Sequence, residues 1–346
     1  MQPQPKIKIQ QIDPGEIKGL LKENYLNIIS TFYETQSSFL SGVYKRYKSI
    51  ETANIILCFS RNMHLSIIRQ REKDLNHNIS LNNFWNNLQN VECISEKVSS
   101  IVKITSIPKE TVRRKVKKLL TYGYLLNDKK EKGFSWNLLP KHKDSYFKII
   151  DEEISILSRF LAKFTTRLNL NIDSTTIENE LKSQFSFYWY HYLSCQLQWL
   201  KFWQEKLKDN DLLLVVLQAV IPTLRYAEHG EEINLDNMFK IVGRVTNRND
   251  FLQTAVSAAS VSEVTGIPRA TCIRKLDKLV SYGFLLKEKK TKRYFVNQNL
   301  NDRTKSVLTK DNVDTTIKIF STYLAIIINS VIFNKKKIIA NLQTKY

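Results

Sequence analysis

The feature that most constrains this chain is an internal duplication. Residues 99–137 align without gaps with residues 259–297 at an offset of 160, and 17 of the 39 aligned pairs are identical. Self-similarity over this length indicates that one structural unit occurs twice. A chain of 346 residues is also about twice the usual length of a single domain.

Weaker similarity extends outside this segment in both directions. NISLNNF at 78–84 resembles EINLDNM at 232–238, and ILSRFLAKF at 156–164 resembles IFSTYLAII at 319–327. The Asn-rich stretch LNLNIDS then separates two long helical patterns. We therefore predict a first unit of residues 1–172 and a second unit of residues 173–346.

Both units are predicted to be mainly α-helical, because segments such as Tyr44–Arg69 and Leu197–Val220 carry apolar residues at helical spacing. Each unit also predicts one short β-hairpin. In the first unit the polar run Asn127–Gly133 lies between two short apolar runs, and the second unit repeats this pattern. Packing helices are predicted near 150–169 and 313–334.

Within the duplicated segment, turn residues separate two helical patterns. In the second copy, Ala259–Thr265 predicts a short helix, Gly266 a left-handed turn, and Pro268 the start of a second helix that runs to Tyr282. Gly283 then follows at a position typical of a left-handed helix end. The predicted order is therefore helix, tight turn, helix and hairpin.

This order resembles the winged helix-turn-helix of bacterial transcription regulators. The sequence SEVTGIPRATCIRKLDKLVSYGFL is similar to the IclR-type and MarR-type modules, and the first copy resembles them too. The resemblance implies modules at about 92–138 and 251–298, each with a recognition helix for the major groove and a hairpin wing for the backbone. Ser106 replaces Gly266, so we expect the first turn to differ.

The positive charge is concentrated in the same segments. The chain has 53 Lys and Arg against 33 Asp and Glu, a net charge of +20. Residues 106–137 contribute +6 of it and residues 266–297 contribute +7. A basic cluster that coincides with a helix-turn-helix pattern favours double-stranded DNA as the partner.

Helical spacing divides the second helix of each copy into an apolar face and an exposed face. On the exposed face, Arg114 and Arg274 are placed to contact guanine, and Thr111 and Thr271 to contact phosphate or a thymine methyl. Lysines of the predicted wings suit phosphate contacts. The full set predicted to contact DNA is Lys109, Thr111, Arg113, Arg114, Lys117, Lys118, Lys129, Lys130, Lys132, Arg269, Thr271, Arg274, Lys275, Lys278, Lys289, Lys290, Lys292 and Arg293.

Two copies in one chain suggest an intrachain pseudo-dimer, in which the helices around the two motifs form a shared core. The two exposed faces differ, with Glu110 opposite Ala270 and Lys117 opposite Asp277 in the alignment. We therefore expect a DNA site with two unlike halves.

The predicted function is a sequence-specific transcription regulator. A replication initiator with tandem winged helices is one alternative, and a nonspecific nucleic-acid or protein interaction module is another. No nucleophile, phosphate-loop or cofactor motif is recognisable, so we predict neither an enzyme nor a bound cofactor. Four scattered cysteines and the absence of an apolar N-terminal run predict a cytoplasmic location.

Three further segments have two interpretations each. The aromatic-rich segment 185–203 predicts a buried helix seam or a pocket for a small effector. Ile319–Phe333 is apolar, and we expect a packing helix and not a membrane span, since it is only 15 residues long. His191 and Cys195 have the spacing of metal ligands on a helix, but no third ligand is evident, so no metal is predicted.

Overall fold

The computed structural model describes residues 11–228, 233–238, 240–243, 248–299, 301, 307 and 309–343. The fold is mainly helical with two small antiparallel hairpins, as predicted. In the first unit the elements are α1 (Pro14–Glu23), α2 (Tyr25–Tyr47), α3 (Ile50–Lys73), α4 (Phe84–Asn90), α5 (Val98–Thr105), α6 (Lys109–Thr121), β1 (Leu125–Asp128), β2 (Gly133–Trp136) and α7 (Lys143–Arg167). A short 3-10 turn, Pro140–His142, precedes α7.

The second unit follows the Asn-rich segment after α7. Its elements are α8 (Ser174–Ser183), α9 (Phe185–Leu207), α10 (Asn210–Ala227), α11 (Lys240–Gly243), α12 (Arg248–Thr254), α13 (Ala258–Thr265), α14 (Arg269–Ser281), β3 (Leu285–Lys287), β4 (Tyr294–Val296) and α15 (Lys310–Gln343). The second unit repeats the order of the first, except that two short helices, α11 and α12, stand where the first unit has α4. A 3-10 turn, Leu235–Asn237, lies between α10 and α11.

Matching polar residues begin matching helices in the two units. The carboxylates of Asp13 and Asp173 accept backbone N–H groups at the starts of α1 and α8. The Ser49 hydroxyl accepts a backbone N–H group at the start of α3, and the Asp209 carboxylate accepts one at the start of α10. Such caps satisfy amides that have no partner within the helix. The helix starts are therefore encoded locally and twice.

The two units pack crosswise. Helix α3 of the first unit packs on α9 of the second, and α10 of the second packs on α2 of the first. The outer helices also pack between units, since α1 of the first unit packs on α15 of the second and α8 of the second packs on α7 of the first. Each unit thus buries its apolar helix faces mainly against the other unit.

Aromatic side chains join the units in the interior. The rings of Phe32 and Phe320 meet edge to face at 4.4 Å, and those of Phe39 and Tyr192 at 5.3 Å. At the outer end, the Asn329 side chain accepts from the Ile12 backbone N–H at 2.8 Å and donates to its carbonyl at 2.9 Å. The hydrophobic core is continuous across the two units.

Helix α15 is the one described helix that is long and apolar enough to cross a membrane. The span Lys310–Asn334 has a mean hydropathy of 1.7 in its most apolar window, and 61% of that window is buried within the structure. Phe320 packs on Phe32, and Tyr323 lies 5.6 Å from the ring of Tyr192. In this structure the segment serves as a packing helix.

The aromatic-rich segment forms most of α9. Tyr188, Trp189 and Tyr192 are buried between helices, as expected for a seam. Trp199 and Trp203 are also buried, but they line a cavity as well.

Candidate nucleic-acid interface

Each duplicated segment folds as two helices, a tight turn and a hairpin. We call α5, α6, β1 and β2 the first module, and α13, α14, β3 and β4 the second module. The turn between the helices is left-handed in both, with φ of 54° at Ser106 and 74° at Gly266. The expectation that the first turn differs was wrong, because Ser106 adopts the conformation that glycine adopts in the second module.

Side-chain hydrogen bonds close both turns in the same way. In the first module the Thr105 hydroxyl donates to the Ile101 carbonyl at 2.7 Å and accepts from the Ile107 N–H at 3.2 Å. Thr265 makes the equivalent bonds to Val261 and Ile267. These bonds satisfy backbone groups that the left-handed residue removes from the helix.

The apolar face predicted for the second helix of each module is confirmed. Val112, Val116 and Leu119 of α6 are buried, as are Cys272, Leu276 and Leu279 of α14. Past each helix, Gly123 and Gly283 have φ of 73° and 75°. Both glycines occupy the left-handed position that the sequence predicts.

Each hairpin has a third strand segment that the sequence does not reveal. Glu96 and Phe134 exchange two backbone hydrogen bonds of 2.9 Å, and Val256 and Tyr294 exchange two of 2.8 Å. These bridges attach the hairpin to the chain just before α5 or α13. A single bridging residue leaves no alternating pattern to read.

Most of the basic residues predicted to contact DNA are exposed on one side of each module. Within the described residues, most of these cations also form no ion pair with an acid. The exposed and unpaired cations are Lys109, Arg114, Lys117, Lys118, Lys129, Lys130, Lys132, Arg269, Arg274, Lys289, Lys290, Lys292 and Arg293. Thr111 and Thr271 are half-buried beside them, and Thr271 accepts from the Arg274 guanidinium at 3.1 Å.

Lys275 requires a correction. Its side chain is only 14% exposed, and Nζ lies 2.8 Å from the Asp209 carboxylate at the start of α10. The aligned residue of the first module, Lys115, donates to Ser49 and Thr52 at the start of α3. Each lysine therefore attaches the second helix of its module to the start of a long helix in the same unit. We remove Lys275 from the candidate interface.

Two other predicted cations, the exposed Arg113 and the half-buried Lys278, are paired with acids. Arg113 lies 2.7 Å from the Glu110 carboxylate one turn earlier in α6. Lys278 lies 3.8 Å from Asp209 and packs over the Tyr282 ring. Surface pairs of this kind contribute little stability, so a stronger anion can replace the carboxylate.

One acid in each hairpin accepts hydrogen bonds from backbone groups of the turn. The Asp128 carboxylate accepts the N–H groups of Lys130 and Glu131 at 3.0 and 3.1 Å, and it also binds the Ser95 hydroxyl. The hydrogen bond from Ser95 is the main reason that the pKa of Asp128 is lowered. In the second hairpin, Glu288 accepts the Thr291 N–H at 2.8 Å. The lysines of both hairpins therefore point outward beside acids that shape the turn.

The turn of each module rests on a long helix of the other unit. The Ser106 hydroxyl donates to Glu205 of α9 at 2.7 Å. A β-carbon at Gly266 would lie 2.6 Å from Cγ of Lys45 in α2, so glycine permits the close packing there. Lys45 and Glu205 are aligned positions. The crosswise packing thus holds the two modules in reciprocal positions.

Within the described residues, no group of three His, Cys, Asp or Glu side chains could hold a metal ion. Burial lowers the pKa of His191 and raises that of Cys195 well above its usual value. Burial therefore disfavours the thiolate that a metal site would need at Cys195.

No protein-family model matches the sequence, and no curated protein or solved structure is significantly similar to the chain.

Proposed function

We propose that this chain is a sequence-specific, double-stranded DNA-binding protein that regulates transcription. In this proposal α6 and α14 are recognition helices, and the hairpins are wings that contact the DNA backbone. The observation that carries the proposal is the repeated placement of unpaired cations on the exposed side of two similar modules. Clustered cations without acidic partners suit a polyanion.

Each module supplies the two kinds of contact that DNA recognition needs. The exposed Arg114 and Arg274 project from the second helices, where a guanidinium can donate two hydrogen bonds to one guanine. The wing lysines are flexible single charges suited to phosphate oxygens. Arginines would therefore select the sequence, while wing lysines would supply affinity and its dependence on salt.

The reciprocal packing of the units supports an intrachain pseudo-dimer. The turn of each module rests on α9 or α2 of the other unit, so the second helices are held relative to each other by a shared core. The two reading faces are unlike, since the exposed Arg113 aligns with Ile273 and Lys117 aligns with Asp277. We expect a bipartite DNA site with two different halves.

In-vitro selection from a random DNA library tests this proposal. The wild type should yield a bipartite motif, Arg114→Ala should relax one half, and Arg274→Ala should relax the other. Each loss should amount to about 1 to 3 kcal/mol of base discrimination. Arg159→Ala, an exposed arginine of α7, is the control and should leave the motif unchanged.

Retention of DNA at low salt without any selected motif would contradict sequence reading and would favour a packaging role. A motif that occurs in genomes as clustered repeats, and not beside promoters, would favour a replication initiator.

A further inference from the structure

A cavity of about 350 Å³ lies between α9, α10 and the second module, and Tyr25 and Tyr33 of α2 in the first unit complete its wall. Its volume is within the range of small-molecule sites, which begins at about 300 Å³. Branched aliphatic side chains form half of the lining, and six aromatic side chains, among them two tryptophans, form much of the rest. The lining includes Leu213, Leu217, Val220, Leu224, Trp199 and Trp203.

The same place in the first unit is filled by aromatic rings. His64 stacks on Phe84 at 4.7 Å, Phe84 stacks on Tyr146 at 5.7 Å, and the Trp136 ring lies 5.7 Å from Tyr146. Phe185 of α9 closes this cluster against Phe84 at 5.3 Å.

The aligned residues explain why the second unit is open. Trp136 aligns with Val296, and His64 aligns with Leu224. In the similarity between NISLNNF and EINLDNM, Phe84 aligns with Met238. Val296, Leu224 and Met238 all line the cavity. Aromatic rings in the first unit are thus replaced by smaller aliphatic groups in the second.

Three buried polar atoms beside the cavity have no hydrogen-bond partner within the described residues. They are the indole Nε1 atoms of Trp199 and Trp203 and the hydroxyl of Thr223. All three residues line the cavity. These atoms have almost no accessible surface, so an occupant would contact the carbon atoms of these side chains and not the polar atoms.

The charged residues around the cavity are all basic. Lys206, Lys208 and Lys278 line it, whereas no acid does so among the described residues. Lys206 and Lys208 are exposed, which places them at the solvent side. We propose that this cavity binds an amphipathic anion with a single aliphatic chain and a carboxylate head.

The cavity also touches the helix that we propose reads DNA. Leu279 and Tyr282, at the end of α14, form part of its wall. An occupant would therefore contact the last turn of α14 and change how that helix is held. This coupling rests on the proposed function, whereas binding of the anion does not.

Calorimetric titration of the full chain with decanoate tests the site directly. The wild type should bind decanoate, and the double variant Met238→Phe/Val296→Trp should bind at least tenfold more weakly. This variant gives the second unit the rings that fill the first. Leu286→Trp is the matched control, since it adds an indole to the exposed side of the same hairpin, and it should bind like the wild type.

A second variant separates loss of the site from loss of folding. Lys206→Gln changes an exposed side chain, and it should weaken decanoate several-fold while leaving the binding of decanol unchanged. No heat with wild-type protein, or equal affinity in the filled variant, would overturn the proposal. An equal effect of Lys206→Gln on decanoate and decanol would overturn the carboxylate assignment.

The coupling is measured separately, with the DNA obtained by selection. Saturating decanoate should change wild-type DNA affinity at least threefold and leave that of the filled variant unchanged. Decanoate binding without any effect on DNA would keep the site and reject the coupling. Absence of DNA binding would reject the proposed function, but it would not affect the conclusion that the cavity binds decanoate.

Discussion

The two units share the same arrangement of long helices around one module, yet their interiors differ more than their surface motifs. In the first unit, rings fill the space beneath the module, with Phe84 and Trp136 both packed on Tyr146. In the second unit, Met238 and Val296 line a cavity at the same place. The modules, in contrast, keep the same left-handed turns and the same buried helix faces. A local motif tolerates little change, whereas a core accepts different residues if the volume is filled or a ligand fills it.

Buried ionisable groups show the same asymmetry. Glu153 and His64 are both buried in the first unit, where burial raises the pKa of Glu153 to about 8 and lowers that of His64 to about 3. In the second unit Leu224 aligns with His64, and Thr316 aligns with Glu153 at the offset of 163 found for α7 and α15. The pH dependence of stability should therefore depend mainly on Glu153, because the carboxyl group of Asp211 in the second unit, whose pKa burial also raises, accepts the Ile50 N–H at 2.8 Å.

Among the variants that test this difference between the units, Glu153→Gln should have the largest effect, and the effect is on the pH dependence of stability. A carboxyl group whose pKa rises from 4.5 to about 8 on folding binds a proton in the folded state that the unfolded chain has lost. The free energy of unfolding should thus fall by on the order of 4 kcal/mol as pH rises between these two values. Glu153→Gln should remove this dependence in urea unfolding curves recorded from pH 5 to pH 9.

Glu152→Gln, one position earlier on the exposed side of α7, is the control and should retain the dependence. If Glu153→Gln keeps the wild-type slope, the first unit does not dominate the pH response.

The next largest effect on the free energy of unfolding is expected when Trp136 and Val296, which are aligned, are each replaced by the other residue type. Trp136→Val should lower the free energy of unfolding by about 3 kcal/mol, because it removes a ring from a filled cluster. Val296→Trp should change it by less than about 1.5 kcal/mol, because the new ring enters existing space. Thermal and urea unfolding of both variants would measure this difference, and equal losses would show that the second unit has no usable space.

Removing the N-terminal caps of α10 and α3 should lower the free energy of unfolding by smaller and unequal amounts. Asp209→Ala removes a cap, with its 3.0 Å bond from the Leu212 N–H, and it also leaves the mostly buried Lys275 without a carboxylate. We expect a loss of about 2 kcal/mol.

Ser49→Ala should cost about 0.5 to 1 kcal/mol, because Lys115 keeps its 3.2 Å contact with Glu51. Urea unfolding measures both variants. A larger loss of stability for Ser49→Ala than for Asp209→Ala would contradict the prediction that Asp209 contributes more.

The smallest effect concerns the surface charge of α6 and α14, the proposed recognition helices. Lys117 of α6 is exposed and unpaired within the described residues, whereas the aligned Asp277 of α14 forms a 2.8 Å ion pair with Lys287. Lys117→Ala should lower the slope of log affinity against log salt by about 1. Lys148→Ala, an exposed lysine of α7, should leave the slope unchanged in fluorescence anisotropy titrations. An equal decrease for both variants would indicate a general charge effect and not a contact.

Local features of the modules could be read from the sequence because short-range chemistry determines them. Gly266 and Gly283 mark left-handed positions, and apolar spacing marks the buried face of each second helix. The exposed side of the modules followed from the same spacing. Ser106 escaped this reasoning, because its turn is held by Thr105 and by packing against the other unit.

The sequence by itself determined the duplication, the helical class, the two hairpins and the basic faces, since each depends on residues close together in the chain. Only the tertiary structure decided that the units pack crosswise, that Lys275 is fastened to Asp209, and that a cavity opens beside Trp203. These features depend on side chains from distant segments meeting in space. Spacing along one segment does not specify which partner its residues will meet.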